Sequence, residues 1–236
     1  MFHYEKAWQE LMARVGRAAK AVGRDPNTVR VLAVSKTFPS DAVRAVHALG
    51  QRAFGENYVQ EGAEKIDALA DLTDIEWHLI GPLQSNKTAI AARRFGWVQT
   101  IDRMKIAERL ARERAPDAPP LEVCVQVNAS GEASKSGVGP AEAVPLAKAV
   151  AALPRLRLRG IMGIPEPTDD VERRRAQFRV LRECLEACRA AGLPVDTLSM
   201  GMSADLEDAI AEGATLVRVG TSIFGAREPN AARAAA

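Results

Sequence analysis

Lys36 closes the apolar run Val31-Leu32-Ala33-Val34, with only Ser35 between. A lysine there is either a surface charge that snorkels to water or a reactive amine. Facing the mouth of a barrel, its ammonium would be desolvated and its pKa would fall from about 10.4. The neutral amine could then add to an aldehyde and form a Schiff base. Two distant segments supply a complement. MGMSAD (200–205) places Ser203 at a predicted helix start, where free N–H groups and a hydroxyl point outward. VGTSIFG (219–225) supplies Gly220, which permits close backbone approach, and the hydroxyls of Thr221 and Ser222. Together they read as an anion cradle; turn glycines and a plain helix cap are the alternative. Asp205 and Glu207 follow closely and must face away from any phosphate.

An amine at one end and a phosphate cradle at the other suit a ligand that carries both an aldehyde and a phosphate. Pyridoxal 5′-phosphate (PLP) does, and so do some sugar phosphates. Arg218 lies two residues before Gly220 on the same strand face. It could meet the ring nitrogen of a bound pyridine; a strand-end salt bridge is the alternative.

Positioning these groups requires a particular order of elements. Residues 4–22 read as a helix with the apolar stripe Trp8, Leu11, Met12, Val15, Ala19 and Val22. Eight β-rich runs follow: 29–36, 52–57, 76–81, 97–102, 121–128, 156–164, 197–202 and 216–225. Helical segments separate them. Ser40, Ser85, Asp102 and Ser203 are predicted caps, and Gly50, Gly192 and Gly213 predicted stops. Pro140 suits a first turn, whereas Pro145 should kink or delay its helix. Eight alternating strands predict a single (β/α)8 TIM-type barrel of the α/β class, with the extra N-terminal helix covering the side where little chain follows strand eight. A doubly wound sheet, which more often has five or six strands, is the alternative. Residues 1–236 read as one domain, with 226–236 a frayed tail. In such a barrel, function sits on the loops after the strands, and the loops after strands seven and eight frequently bind phosphate. Lys36, Asn57, GPLQSNK (81–87), NASGEASKSGVG (128–139), MGIP (162–165), MGMS (200–203) and RVGTSIFG (218–225) all fall there.

Composition narrows the function classes. A net charge of +2 is too balanced to predict nucleic acid or an anionic membrane as partner. No apolar run is long enough to span a bilayer, and no secretory signal is visible. Three cysteines, at 124, 184 and 188, fit a reducing cytoplasm better than a disulfide framework. Cys184 and Cys188, four apart on a helix, read as an apolar face rather than a metal site. His78 reads as a core or supporting group inside strand three, and His47 as a helix residue with no specific role. Glu172-Arg173-Arg174-Arg175 reads as a solvated helix face. Lys135 reads as a surface lysine, with a sweep over the cradle as the alternative.

The motifs VLAVSKTFP (31–39), FGENYVQE (54–61), EWHLIGPLQSNK (76–87), ASGEASKSGVG (129–139), LRLRGIMGIP (156–165), LSMGMSADLEDAIAEG (198–213) and VRVGTSIFGAR (217–227) closely resemble the PLP homeostasis protein family. The match runs in unbroken order over nearly the whole chain. The family's fold is similar to the N-terminal barrel domain of alanine racemase. The resemblance implies that Lys36 carries PLP as a Schiff base and that Ser203, Gly220 and Thr221 contact the phosphate. It implies Arg218 at the ring nitrogen and Asn57 near the ring hydroxyl, with Ser199 and Met162 lining the pocket. Two departures stand out: MGIP where members often have MAIP, and MSAD where MSDD is common. The expectation is that Gly163 loosens its strand end and that Ala204 removes a carboxylate near the cradle.

Racemases of similar fold add a β-rich domain that supplies a catalytic tyrosine, and this chain ends where that domain would begin. Its two tyrosines are Tyr4 and Tyr58, the latter reading as a helix-start residue. An arginine at the pyridine nitrogen disfavours protonation there and makes the ring a weak electron sink. No acid–base pair is visible beyond Lys36. The expectation is therefore a cytoplasmic, monomeric, non-catalytic protein that buffers, sequesters and hands PLP to PLP-dependent apoenzymes. An amino-acid racemase and a Schiff-base aldolase on a sugar phosphate remain the alternatives.

Overall fold

Parallel strands that are covered by helices outside and filled by side chains inside must be apolar on both faces. Two strands come close to that demand in burial: β4 (Trp97–Ile101) is buried at every position, its Gln99 and Thr100 included, and β1 (Arg30–Val34) at all but its first. A computed structural model describes residues 4–131 and 136–226. After α1 (Tyr4–Ala21) and β1 come α2 (Ser40–Ala48), β2 (Ala53–Glu56), α3 (Val59–Ala68), β3 (Glu76–Leu79), α4 (Thr88–Arg94) and β4. Then follow α5 (Met104–Glu113), β5 (Leu121–Val127), α6 (Pro140–Ala151), β6 (Leu156–Gly163), α7 (Val171–Ala190), β7 (Thr197–Ser199), α8 (Leu206–Ala211), β8 (Leu216–Val219) and α9 (Thr221–Phe224). Each strand pairs in parallel with the next, and β8 pairs with β1, so the sheet closes. This is the expected (β/α)8 barrel.

Several local expectations give way to tertiary geometry. The run 216–225 divides: β8 stops at Val219, Gly220 leaves the extended region, and its carbonyl accepts from Ile223 and Phe224 N–H at 2.9 Å to start α9. The run 197–202 leaves the sheet after Ser199, and Gly201 turns the chain at φ +89°, where a Cβ would strike Ala209. Ser203 is no cap. Helix α8 begins at Leu206, with Asp205 at the cap position and its carboxylate accepting from Met202 N–H. Ser40 is the first residue of α2 rather than its cap, and Ser85 opens a single 3₁₀ turn ahead of α4. Asp102 pairs with Arg103 instead of capping α5. Helix α6 runs through Pro145 without a break, because its buried face of Ala143, Leu146, Ala147 and Val150 outweighs one lost hydrogen bond.

Helix α1 packs over the four-residue α9, as expected from the short chain after strand eight. Its buried stripe is Leu11, Val15, Ala18 and Ala19; Met12 and Val22 are exposed, Val22 lying past the helix end. Phe224 joins the parts: its ring stacks on Phe38 at 5.1 Å and meets Tyr4 edge-on at 6.2 Å. Among the described residues, no helix is long and apolar enough to cross a membrane. Phe224→Ala is expected to cost about 3–5 kcal/mol by opening a cavity where α1, α9 and the loop after β1 meet. Urea unfolding followed by far-UV circular dichroism measures it.

Candidate functional site

The strand ends frame a cavity of about 260 Å³ at the C-terminal mouth of the barrel. Lys36, Asn57, Ser203, Arg218, Gly220 and Thr221, each expected from sequence, line it. Val34, Ile80, Ile164 and Met202 supply apolar wall, and Ala204 lies beside Ser203. Ser199 and Met162 are not wall residues. Met162 is fully buried with Trp97 and Cys124 inside the barrel. Ser199 is fully buried and acts on the cavity through Arg218. Tyr58 sits at the cap position of α3, is exposed, and does not line the cavity.

Arg218 is the central charged group. It is 4% exposed, and its guanidinium donates to Ser199 O (2.7 Å), Ser199 Oγ (2.8 Å) and Gly163 O (2.8 Å). Among the described residues no carboxylate hydrogen-bonds to it, so it makes no strand-end salt bridge. Burial pushes its pKa down to about 10, against the opposing pull of Asp205. A buried cation without a bonded carboxylate favours an electron-rich acceptor in the cavity. Gly163 does not loosen β6: it pairs with Val127 in register, and its carbonyl grips Arg218.

The cradle is held from outside. Gly220 lies so close to β1 that a Cβ would come 3.1 Å from Val34 O. Arg14 of α1 donates to Ser203 O at 2.8 Å and pairs with Glu207, which turns that carboxylate away from the cavity. Asp205, spent on Met202 N–H, does not line the cavity either. The Glu172–Arg175 run is not merely solvated. Arg174 and Arg175 both clamp the buried Asp208 of α8, at 2.6 and 2.7 Å, and Arg173 pairs with Glu166. His47 likewise has a partner, Asp74, at 2.7 Å. Lys135 lies outside the described residues.

Two polar networks contain members that were not anticipated, Gln99 in one and Glu56 and Lys65 in the other, whereas His78 is the core group expected from sequence. Ser199 Oγ donates to Gln99 Oε1 (2.6 Å), and Gln99 Nε2 bonds His78 Nδ1 (2.9 Å). A polar column thus runs from Arg218 down the barrel axis to His78, which stacks on Trp97. Burial holds the His78 pKa well below its usual value, so the ring is neutral. The signal was a glutamine inside the apolar strand WVQTI. The second network lies behind Lys36. Glu56, fully buried, accepts from Ser35 Oγ (2.6 Å) and Lys65 Nζ (2.9 Å), and Lys65 also bonds Ser35 O (2.7 Å) and Glu61 (2.7 Å). A glutamate in the buried run AFGE was the overlooked signal. The cysteines are buried; burial pushes Cys124 up to about 12 and Cys184 up to about 11, so neither offers a thiolate. Among the described residues no group of ligating side chains could hold a metal.

Fold and site define a (β/α)8 barrel whose mouth holds a lysine, a buried arginine, and the Ser203 and Gly220–Thr221 segments. The family model described as alanine racemase, N-terminal domain, matches residues 9–228. A pyridoxal phosphate homeostasis protein of Pseudomonas aeruginosa is 57% identical over 93% of this chain and 94% of its own. One of Escherichia coli K12 is 52% identical over 91% and 93%. The structure of PipY of Synechococcus elongatus with PLP bound superposes with a TM-score of 0.78 at 38% identity, covering 89% of this chain and 99% of that one. The chain belongs to the pyridoxal phosphate homeostasis protein family, built on the alanine racemase N-terminal domain.

Glu56 makes stability depend on pH. Desolvation raises its pKa from 4.5 to about 7 in the fold, although Lys65 and Ser35 oppose the rise. The folded chain therefore holds this proton more tightly than the unfolded chain. The contribution is fully present below about pH 4.5 and is lost as pH rises through about 7, with a slope of at most about 1.4 kcal/mol per pH unit. Between pH 5 and 7, urea midpoints of Glu56→Gln should fall less steeply with pH than those of the unsubstituted protein.

Proposed function

We propose that this protein holds PLP as a Schiff base on Lys36 and serves intracellular PLP homeostasis by buffering, sequestering and handing on the cofactor. The observation that carries the reading is one cavity lined by an amine, a buried guanidinium and a Gly220–Thr221 turn. In it Lys36 takes the aldehyde, with loss of water. Arg218 donates to the ring nitrogen, Asn57 meets the ring hydroxyl side, and Ser203, Gly220 and Thr221 hold the phosphate. Ser199 and Gly163 keep the guanidinium aimed. The names of its relatives and the PLP-bound PipY support the same reading.

Holding suits this site better than turnover. Among the described residues lining the cavity, Lys36 and Arg218 are the titratable ones. An arginine donating to the ring nitrogen keeps that nitrogen unprotonated and weakens the ring as an electron sink. We place the protein in the cytoplasm as a monomer that passes PLP to apoenzymes; its three free, buried cysteines suit a reducing compartment.

Borohydride reduction of the PLP-loaded protein, followed by peptide mapping, is expected to leave a pyridoxyl group on Lys36. An adduct on another lysine instead, or on none, overturns the assignment. Thr221→Val should weaken PLP binding about tenfold, the worth of one hydrogen bond to a charged group. Affinity for pyridoxal, which lacks the phosphate, should stay within about twofold in the same titration.

A further inference from the structure

Lys36 lies between two residues gripped from behind. On one side, Ser35 O accepts from Lys65 Nζ at 2.7 Å, and Ser35 Oγ donates to Glu56 Oε1 at 2.6 Å. On the other, Thr37 N–H donates to Glu61 Oε1 at 2.5 Å. Lys65 Nζ joins both carboxylates, reaching Glu56 at 2.9 Å and Glu61 at 2.7 Å. One ammonium and two carboxylates thus brace both flanks of Lys36.

This arrangement is expensive for a barrel wall. The Glu56 side chain is fully buried, that of Lys65 is 7% exposed and that of Glu61 22%. Desolvated charges of this kind are often no more stable than well-packed apolar residues of similar volume. Thr37 adds strain: it is β-branched and holds φ +68°, a region that such residues avoid. Thr37 Oγ1 and Glu56 Oε2 are buried and find no hydrogen-bond partner among the described residues. Strain of this sort persists only where the surroundings over-determine it, and it concentrates at working sites. None of Glu56, Glu61, Lys65 and Thr37 lines the cavity. They cannot touch a ligand there, but they shape the turn that carries the residue that does.

We propose that Lys65 and Glu61, braced by Glu56, are positioning residues that fix the Ser35–Thr37 turn and so aim the Lys36 amine at an aldehyde held in the cavity. The proposal rests on Lys36 as the Schiff-base lysine. In the step concerned, the Lys36 nitrogen bonds the aldehyde carbon, the carbonyl oxygen departs as water, and nothing is oxidised or reduced. Its rate depends on where the amine sits, whereas the grip on ring and phosphate does not. Small misplacements of a reacting group cost on the order of a hundredfold.

The test separates bond formation from grip. Pyridoxine 5′-phosphate has the same ring and phosphate but an alcohol in place of the aldehyde, so it binds without bonding. In the full chain, Lys65→Met and Glu61→Gln should each slow imine formation, followed by stopped-flow absorbance, by about tenfold or more. Affinity for pyridoxine 5′-phosphate should stay within about twofold. Unchanged rates, or rate and affinity falling together, overturn the proposal. If Lys65→Met does not fold, Glu61→Gln decides, because it leaves the Lys65–Glu56 pair intact. No adduct on Lys36 in the unsubstituted protein sinks the functional reading itself, and this proposal with it.

Discussion

The pairing of β8 with β1 is the constraint on which the site depends. It sets Arg218 opposite Leu32 and Val219 opposite Ala33, in a closed parallel ladder. Only that closure brings the amine of Lys36 and the guanidinium of Arg218 to one cavity from opposite ends of the chain. It also lays Gly220 against Val34, where a Cβ would come 3.1 Å from the carbonyl oxygen. The α1 helix then covers the side that the short α9 leaves thin and reaches the Ser203 carbonyl through Arg14. Formation of the cavity and closure of the barrel are thus one structural event.

Buried charge lies both at and behind the cavity. Arg218 is satisfied by a hydroxyl and two carbonyls, with no hydrogen-bonded carboxylate among the described residues. Behind Lys36, one lysine meets two glutamates in a cluster that does not line the cavity. Below both, the Ser199–Gln99–His78 column fills the barrel axis with polar groups in a fixed hydrogen-bonded order. The column ends on His78, whose other ring nitrogen is buried without a hydrogen-bond partner among the described residues.

How much was legible depends on range. Strand number, strand order and the covering role of α1 followed from apolar runs separated by turn signals. Lys36, Asn57, Ser203, Arg218, Gly220 and Thr221 followed from the rule that barrel chemistry sits after strand ends. Ser203 as a cap, the long eighth strand and the solvated arginine run did not survive. Asp205 took the cap position and Gly220 opened α9 through hydrogen bonds only a few residues away, whereas Asp208 drew in Arg174 and Arg175 from another helix. Glu56, Lys65 and Gln99 escaped notice because a lone polar residue in an apolar run carries no local sign of its partner.

The sequence by itself determined the alternation of elements and the candidate groups that line the cavity, since periodicity and residue chemistry are local properties. The family motifs added the ligand that these groups suggest. Only the tertiary structure decided which polar groups meet. It buried Glu56 against Lys65, directed Arg218 to Ser199 and Gly163, and turned Glu207 to Arg14. Hydrogen bonds and ion pairs act over a few ångströms, and which residues come that close is settled by barrel closure and helix packing.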